Sequence, residues 1–265
     1  GEIAYGQSGG DILDLYADVY VGRVPSANSS EAGDMVDKIL KYQMNPSSIQ
    51  ATRTLFLGEV VFPQVNTVPP DTTLLELDGA DICRAIVTSG YLPLGFVTNT
   101  TQLYENTLWW PAPGFVPEEK DTVIDRVNDG FGLLHFVGHG FTNTMSVGLG
   151  GGQLKQADVA GFTNTTMQGV AFAMTCNAAD VTTNSIAEAW LRNPGGGASA
   201  IISNSSINFI QPELDYQDVW YDLLFTEHLL ELGTVTAAAR DSFIAYSGYL
   251  AYSTLLLNTI LLGDP

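Results

Sequence analysis

Positive charge is what this chain has least of. Ten Lys and Arg stand against 29 Asp and Glu, a formal net charge of -19 over 265 residues. Such a surface repels phosphate, so it excludes nucleic acid and anionic membranes as partners and favours cationic ones; the same surplus also serves solubility alone. Cysteine is nearly as scarce. Cys83 and Cys176 are the only two, which excludes a disulfide framework and a four-cysteine metal site and leaves the compartment undecided. A membrane span is missing as well. The longest uncharged run, 242–263, carries Tyr246, Ser247, Tyr249, Tyr252, Ser253, Thr254, Asn258 and Thr259, too polar for the roughly 20 predominantly apolar residues a bilayer demands. It reads as a helix end followed by a buried strand. There is no internal repeat or low-complexity segment, and the chain opens at Gly1-Glu2-Ile3 with no signal peptide, as though cut from something longer.

What remains is globular material, 45% hydrophobic and long enough to bury a full core. Ala17 to Pro25 has strand composition and stops at a proline. Asn28 with Glu31 three residues on is a helix-start signature, and Ala32, Met35, Val36, Ile39 and Leu40 then fall on one helical face until Pro46. Leu55-Phe56-Leu57 leads as a buried strand into Gly58-Glu59. Val60 to Leu77 is a long Pro- and Thr-rich loop, and Ala80 to Ser89 a helix closed by Gly90. Between Thr98 and Pro117 the text is irregular and aromatic; Trp109 and Trp110 either pack under this loop or line a groove. Pro117-Glu118-Glu119 reads as a helix start. Further strands are expected at 133–137, 169–174, 198–202 and 255–262, and helices at 184–192, 214–232 and 234–247, the last two separated by Gly233. Strand and helix alternate almost throughout. That pattern predicts an α/β fold, a mostly parallel sheet flanked by helices on both faces.

Two stretches share one design. Leu133-Leu-His-Phe-Val-Gly-His-Gly140 is an apolar run ending in a histidine between glycines, and Gly169-Val-Ala-Phe-Ala-Met-Thr-Cys-Asn177 is an apolar run ending in a cysteine. If the two strands are parallel neighbours, His139 and Cys176 emerge at the same carboxyl edge, where open α/β sheets put their chemistry. A cysteine nucleophile needs a base or acid within reach and donors for the oxyanion. The residues alone leave another reading open, in which Cys176 is a small buried hydrophobe and His135 and His139 are core histidines. Gly138 and Gly140 count against it for His139, because glycines let backbone N–H groups face a ligand. Zinc held by His135, His139 and His228 lacks ligand spacing, so no metal site is expected of them.

Gly138-His-Gly140 followed 37 positions after His139 by Thr175-Cys-Asn177 resembles the gingipain family of cysteine peptidases, in the caspase-like group. The likeness extends through Tyr5-Gly-Gln7, Tyr16 to Pro25, Lys38 to Tyr42, Asn128 to Leu134, Ala187-Glu-Ala189, Gly197 to Ile202 and Gly263-Asp-Pro265. It implies a caspase-like fold, with residues 1–50 a partial amino-terminal subdomain and 51–265 a catalytic one. An upstream segment and a following immunoglobulin-like domain would lie outside the chain. It implies Cys176 as nucleophile and His139 as general acid/base. The backbone N–H groups of Gly140 and Cys176 would form the oxyanion hole, and Glu59 would orient the histidine, although an exposed loop glutamate is the alternative for Glu59.

Specificity after Arg or Lys would rest on Asp78, with Asp81 as its rival. Met145 stands where arginine-specific members carry tryptophan, and Phe209 in the 205–211 wall could replace their aromatic pattern. The expectation is a secreted or surface endopeptidase acting on protein or peptide substrates with basic residues, with no nucleic-acid partner and no membrane insertion. The alternatives are a processing or transpeptidase enzyme of a bacterial secretion system and a catalytically silent binding domain. No cofactor is required; calcium is a possibility through Asp11, Asp14, Asp78 and Asp81, without an EF-hand pattern.

Overall fold

The computed structural model describes residues 15–44, 51–62, 77–106, 115–148, 151–165 and 167–265. In chain order the strands are β1 (Thr54–Gly58), β2 (Val60–Phe62), β3 (Leu77–Asp78), β4 (Thr100–Tyr104), β5 (Phe115–Pro117), β6 (Leu133–Val137), β7 (Gly140–Phe141), β8 (Thr144–Ser146), β9 (Gln153–Lys155), β10 (Val170–Met174), β11 (Ala200–Asn204) and β12 (Thr259–Leu262). The helices are α1 (Ser29–Met44), α2 (Gly79–Thr88), α3 (Leu94–Val97), α4 (Lys120–Asn128), α5 (Gln156–Val159), α6 (Ile186–Arg192), α7 (Ile210–Phe225), α8 (Leu232–Asp241) and α9 (Leu250–Asn258).

Five-residue apolar runs bounded by glycine or polar residues make the central strands, and β1, β6, β10 and β11 are buried along their whole length. The sheet order is β12-β11-β10-β6-β1-β4-β5; every pairing is parallel except β11 with β12. Side chains alternate between two cores, as the period of two requires. Leu55, Leu57, Leu134, Phe136, Ala171 and Ala173 pack with α1, α4, α5 and α6 on one face. Phe56, Leu133, Val137, Phe172 and Met174 pack with α2, α7, α8 and α9 on the other. The α/β expectation therefore holds: a mostly parallel sheet flanked by helices on both faces.

Several expectations about single elements are corrected. Residues 17–25 do not form a strand. Only Arg23 pairs with Leu262, flanked by Arg23 N–H to Leu261 O and Gly263 N–H to Arg23 O, while Val19, Tyr20 and Val21 stand exposed. The start of α1 is as expected, with Asn28 Oδ1 accepting from Ser30 and Glu31 and Glu31 reaching back to Ala27. Its inward face is not: Val36 and Leu40 are exposed and the buried residues are Met35 and Lys38. Pro117 closes strand β5 instead of opening a helix, because an edge strand tolerates a residue without an N–H; α4 begins at Lys120. Gly233 lies inside α8, and α7 runs from Ile210 to Phe225. Trp109, Trp110, Pro46 and positions 63–76 of the long loop lie outside the described residues.

Candidate active site

Neighbouring strands β1, β6 and β10 all end at one edge of the sheet, with Gly58 beside Val137 and Val137 beside Met174. One or two residues further on come Glu59, His139 and Cys176. The sheet thus brings together the three residues that the sequence separates by up to 117 positions.

Glu59 is fixed by its own N–H to Val137 O at 2.9 Å. Its carboxylate then holds the histidine turn: Oε2 accepts from the backbone N–H of His139 at 2.6 Å, and Oε1 accepts from Ser146 Oγ at 2.5 Å. The imidazole is held by something else. His139 Nε2 lies 2.9 Å from Val61 O, and the Phe62 ring meets the imidazole edge-on with centroids 6.0 Å apart. A carbonyl can only accept, so Nε2 carries the hydrogen and Nδ1 is left as the exchangeable nitrogen. Glu59 therefore orients the main chain of His139, and Val61 its ring. Gly138 is needed for this closeness, since a Cβ there would sit 2.8 Å from Glu59 Oε2 and 2.9 Å from Phe136 Cζ.

Cys176 is half-buried, with Sγ 3.9 Å from Asn208 O. The next residue, Asn177, takes the left-handed conformation (φ 56°) and donates its N–H to Ser206 O at 3.0 Å, turning the chain sharply past the sulfur. Among the described residues no hydrogen bond joins Cys176 to His139. Gly140 lies against the turn, where an added Cβ would be 2.1 Å from Thr175 Oγ1 and 2.9 Å from Cys176 O.

Acidic groups gather at the neighbouring strand ends. Burial pushes the Glu105 carboxyl up, although Oε2 accepts from Val60 N–H at 2.8 Å. Glu118 is fully buried and neither oxygen has a hydrogen-bond partner among the described residues; burial first, then Glu59, Glu105 and Asp78, drives it well above the ordinary carboxyl value. Both carboxyls lie closer to the neutral state than surface glutamates do.

The substrate-binding candidates fall in different places. Asp78 is buried and caps α2: Oδ1 accepts from Ala80 N–H at 2.8 Å and Oδ2 from Asn106 Nδ2 at 2.5 Å. Asp81 is exposed and 4.0 Å from Arg84. Met145 is a core residue of β8, opposite Gly140. Phe209 is exposed in the loop whose Asn208 carbonyl faces Cys176. His135 is a core residue, bonded through Nδ1 to Tyr221 OH at 3.2 Å and pulled down to about 3 by burial. Asp11 and Asp14 lie outside the described residues, and among those described no group of three or more His, Cys, Asp or Glu could hold a metal ion. Val61 O, Ser146 and the Asn204–Asn208–Glu213 cluster behind the cysteine carry no motif that sequence reading could have used.

The sequence model of peptidase family C25 matches residues 2–265. The chain belongs to peptidase family C25, the gingipain family. Among solved structures it is similar to the Arg-specific cysteine proteinase gingipain R, at 19% identity and a TM-score of 0.73, over 98% of this chain and 57% of that one. The complex of the Porphyromonas gingivalis RgpB pro- and mature domains matches at 18% identity and a TM-score of 0.72, covering 95% of this chain and 57% of that one. The Saccharomyces cerevisiae separase–securin complex matches at 10% identity and a TM-score of 0.55, covering 94% of this C25 chain but 14% of the other. These likenesses show the fold. The chain spans a little over half the length of the gingipain chains it matches, and no curated protein matches it in sequence.

Proposed function

We propose that this C25 chain carries the catalytic centre of a cysteine endopeptidase, with Cys176 as nucleophile and His139 as acid/base. The observation that supports it is the parallel pairing of β6 with β10, which delivers both side chains to one edge of the sheet. In this reading the Cys176 thiol passes its proton to His139 Nδ1, and the resulting thiolate attacks the scissile carbonyl carbon. The C–N bond then breaks as His139 gives its Nδ1 proton to the departing amine, and water hydrolyses the thioester with the proton returning to Nδ1. Val61 O holds Nε2–H throughout, so the ring has one nitrogen free for exchange. The N–H groups of Gly140 and Cys176 are the proposed oxyanion donors.

A preference for Arg or Lys substrates is the finer part of the proposal. The surplus of negative charge would draw cationic peptides in, and each Asp78 oxygen keeps a lone pair beyond the donor it already serves. Asp81 is the alternative anchor. Peptide-library profiling of wild type against Asp78→Ala and Asp81→Ala separates the two. Cleavage of basic-residue reporters that persists in Cys176→Ala would sink the enzymatic reading.

A further inference from the structure

Glu213 lies in the first turn of α7, and its carboxyl is buried. Nothing in the helix requires it there. It reaches instead to two asparagines: Oε1 accepts from Asn208 Nδ2 at 2.5 Å and from Asn204 Nδ2, the latter contact very short. Each asparagine leads to Cys176 by a different route. Asn204, the last residue of β11, also donates through Nδ2 to Thr175 O at 2.9 Å, the carbonyl directly before the cysteine, and its own backbone oxygen accepts from Ala179 N–H at 3.0 Å. Asn208 places its carbonyl 3.9 Å from the sulfur and caps Phe209 N–H through Oδ1 at 2.9 Å. The asparagines are tied to each other, Asn208 Nδ2 to Asn204 Oδ1 at 2.9 Å, and Thr259 Oγ1 donates to the same Oδ1 at 3.0 Å.

One carboxyl oxygen therefore fixes both the segment that carries the nucleophile and the segment that walls it. We infer that Glu213 is a positioning residue for Cys176, acting through Asn204 and Asn208 to set where the sulfur stands relative to the 205–209 wall. The inference rests on the reading of Cys176 as the reactive thiol. The Glu213 side chain itself stands behind the loop and acts only through its partners. Burial holds its carboxyl up to about 8, so at neutral pH it is the uncharged acid, and a carboxamide reproduces the acceptor that the asparagines use.

The test compares Glu213→Gln with Glu213→Leu, similar in volume and different in acceptor capacity. Two readouts are taken: kcat and KM on a basic-residue reporter peptide, and the rate of iodoacetamide alkylation at Cys176 read by mass spectrometry. Glu213→Leu is expected to lower kcat and the alkylation rate by about tenfold or more, as misplacement of a reacting group does, with KM changed far less. Glu213→Gln is expected to restore both to near wild type. A role in packing alone would treat Leu and Gln alike, so equal values for the two variants overturn the inference. Asn208→Ala removes the loop side of the link without touching the core and is expected to lower kcat and alkylation in the same way; it decides the matter if Glu213→Leu fails to fold. A folded Asn208→Ala protein as fast as wild type overturns the inference. Alkylation separates this from failure of the peptidase reading, because it reports on the thiol even in a protein that cleaves nothing.

Discussion

Gly140 has no side chain because Thr175 stands where one would be. The two residues belong to neighbouring strand ends, and an added methyl would lie 2.1 Å from Thr175 Oγ1, far inside van der Waals contact. Either the histidine turn or the cysteine turn would have to move, and both carry the proposed chemistry. Gly140→Ala is therefore expected to reduce kcat by about a hundredfold while the fold survives, measured by reporter hydrolysis beside circular dichroism. Unchanged turnover would mean that the two turns are not held to each other as described. The sequence showed this residue only as half of a glycine pair around a histidine. That much was legible, since glycine beside a strand-end histidine marks close backbone approach. Which atom approaches was not legible, because Thr175 is 35 positions away and its contact depends on the order of the sheet. Glu59 teaches the same lesson: its place at a strand end could be read, but its grip on the main chain of His139 instead of the ring could not.

At the scale of elements, the strands were legible and the helix faces less so. A strand buried on both faces is written as a continuous apolar run, and β1, β6 and β10 all are; the adjacency of β6 and β10 entered the sequence reading only as a condition, and the place of β1 beside β6 was not legible at all. Helix α1 shows the limit. Its cap could be read from Asn28 and Glu31, yet only part of its apolar face turns inward: Met35 is buried, Val36 and Leu40 are exposed, and a lysine is buried beside Met35. Lys38 Nζ donates to the carbonyls of Trp190 and Leu191 near the end of α6 and of Gly196 beyond it, at 3.2, 2.8 and 2.8 Å. Carbonyls of a helix's last turn lack intrahelical donors; Trp190 O also accepts from Ala198 N–H, and the Lys38 ammonium serves it together with Leu191 O and Gly196 O. Burial draws that ammonium down to about 7, and the three carbonyls offset the cost of holding it. Lys38→Met keeps the aliphatic stem and, while Trp190 O retains Ala198 N–H, takes the ammonium donor from Leu191 O and Gly196 O. It is expected to destabilise the protein by about 3 kcal/mol in urea unfolding. A midpoint equal to wild type would show that α1 is held by Met35 and its neighbours alone.

The whole molecule combines a large negative charge with buried carboxyls held above their ordinary range, and these two act in the same direction on stability. Glu213 is held up to about 8 against an ordinary 4.5, and Glu118 is held well above 4.5. Between 4.5 and 8 the folded protein keeps protons that the unfolded chain has released, so folding weakens as pH rises through that window. His135 acts on the other side. Its folded value of about 3 lies below the ordinary 6.5, so the unfolded chain gains a proton first and stability falls as pH drops from 6.5 towards 3. Lys38 opposes the decline only above about 7, where the folded protein releases a proton that the unfolded chain retains. Two buried carboxyls outweigh one histidine between 4.5 and 6.5, and self-repulsion of a chain with pI about 4.1 also grows with pH. The thermal midpoint is therefore expected to be highest near pH 5 and to decline towards pH 8, an acid-side optimum. Glu213→Gln should flatten that decline, because it removes a contribution on the order of 4 kcal/mol between the two limits. Melting curves at constant ionic strength from pH 4.5 to 8.5 check both expectations. A wild-type midpoint higher at pH 8 than at pH 5 would mean that water or a cation reaches Glu118 and Glu213 and leaves them ionised in the folded state.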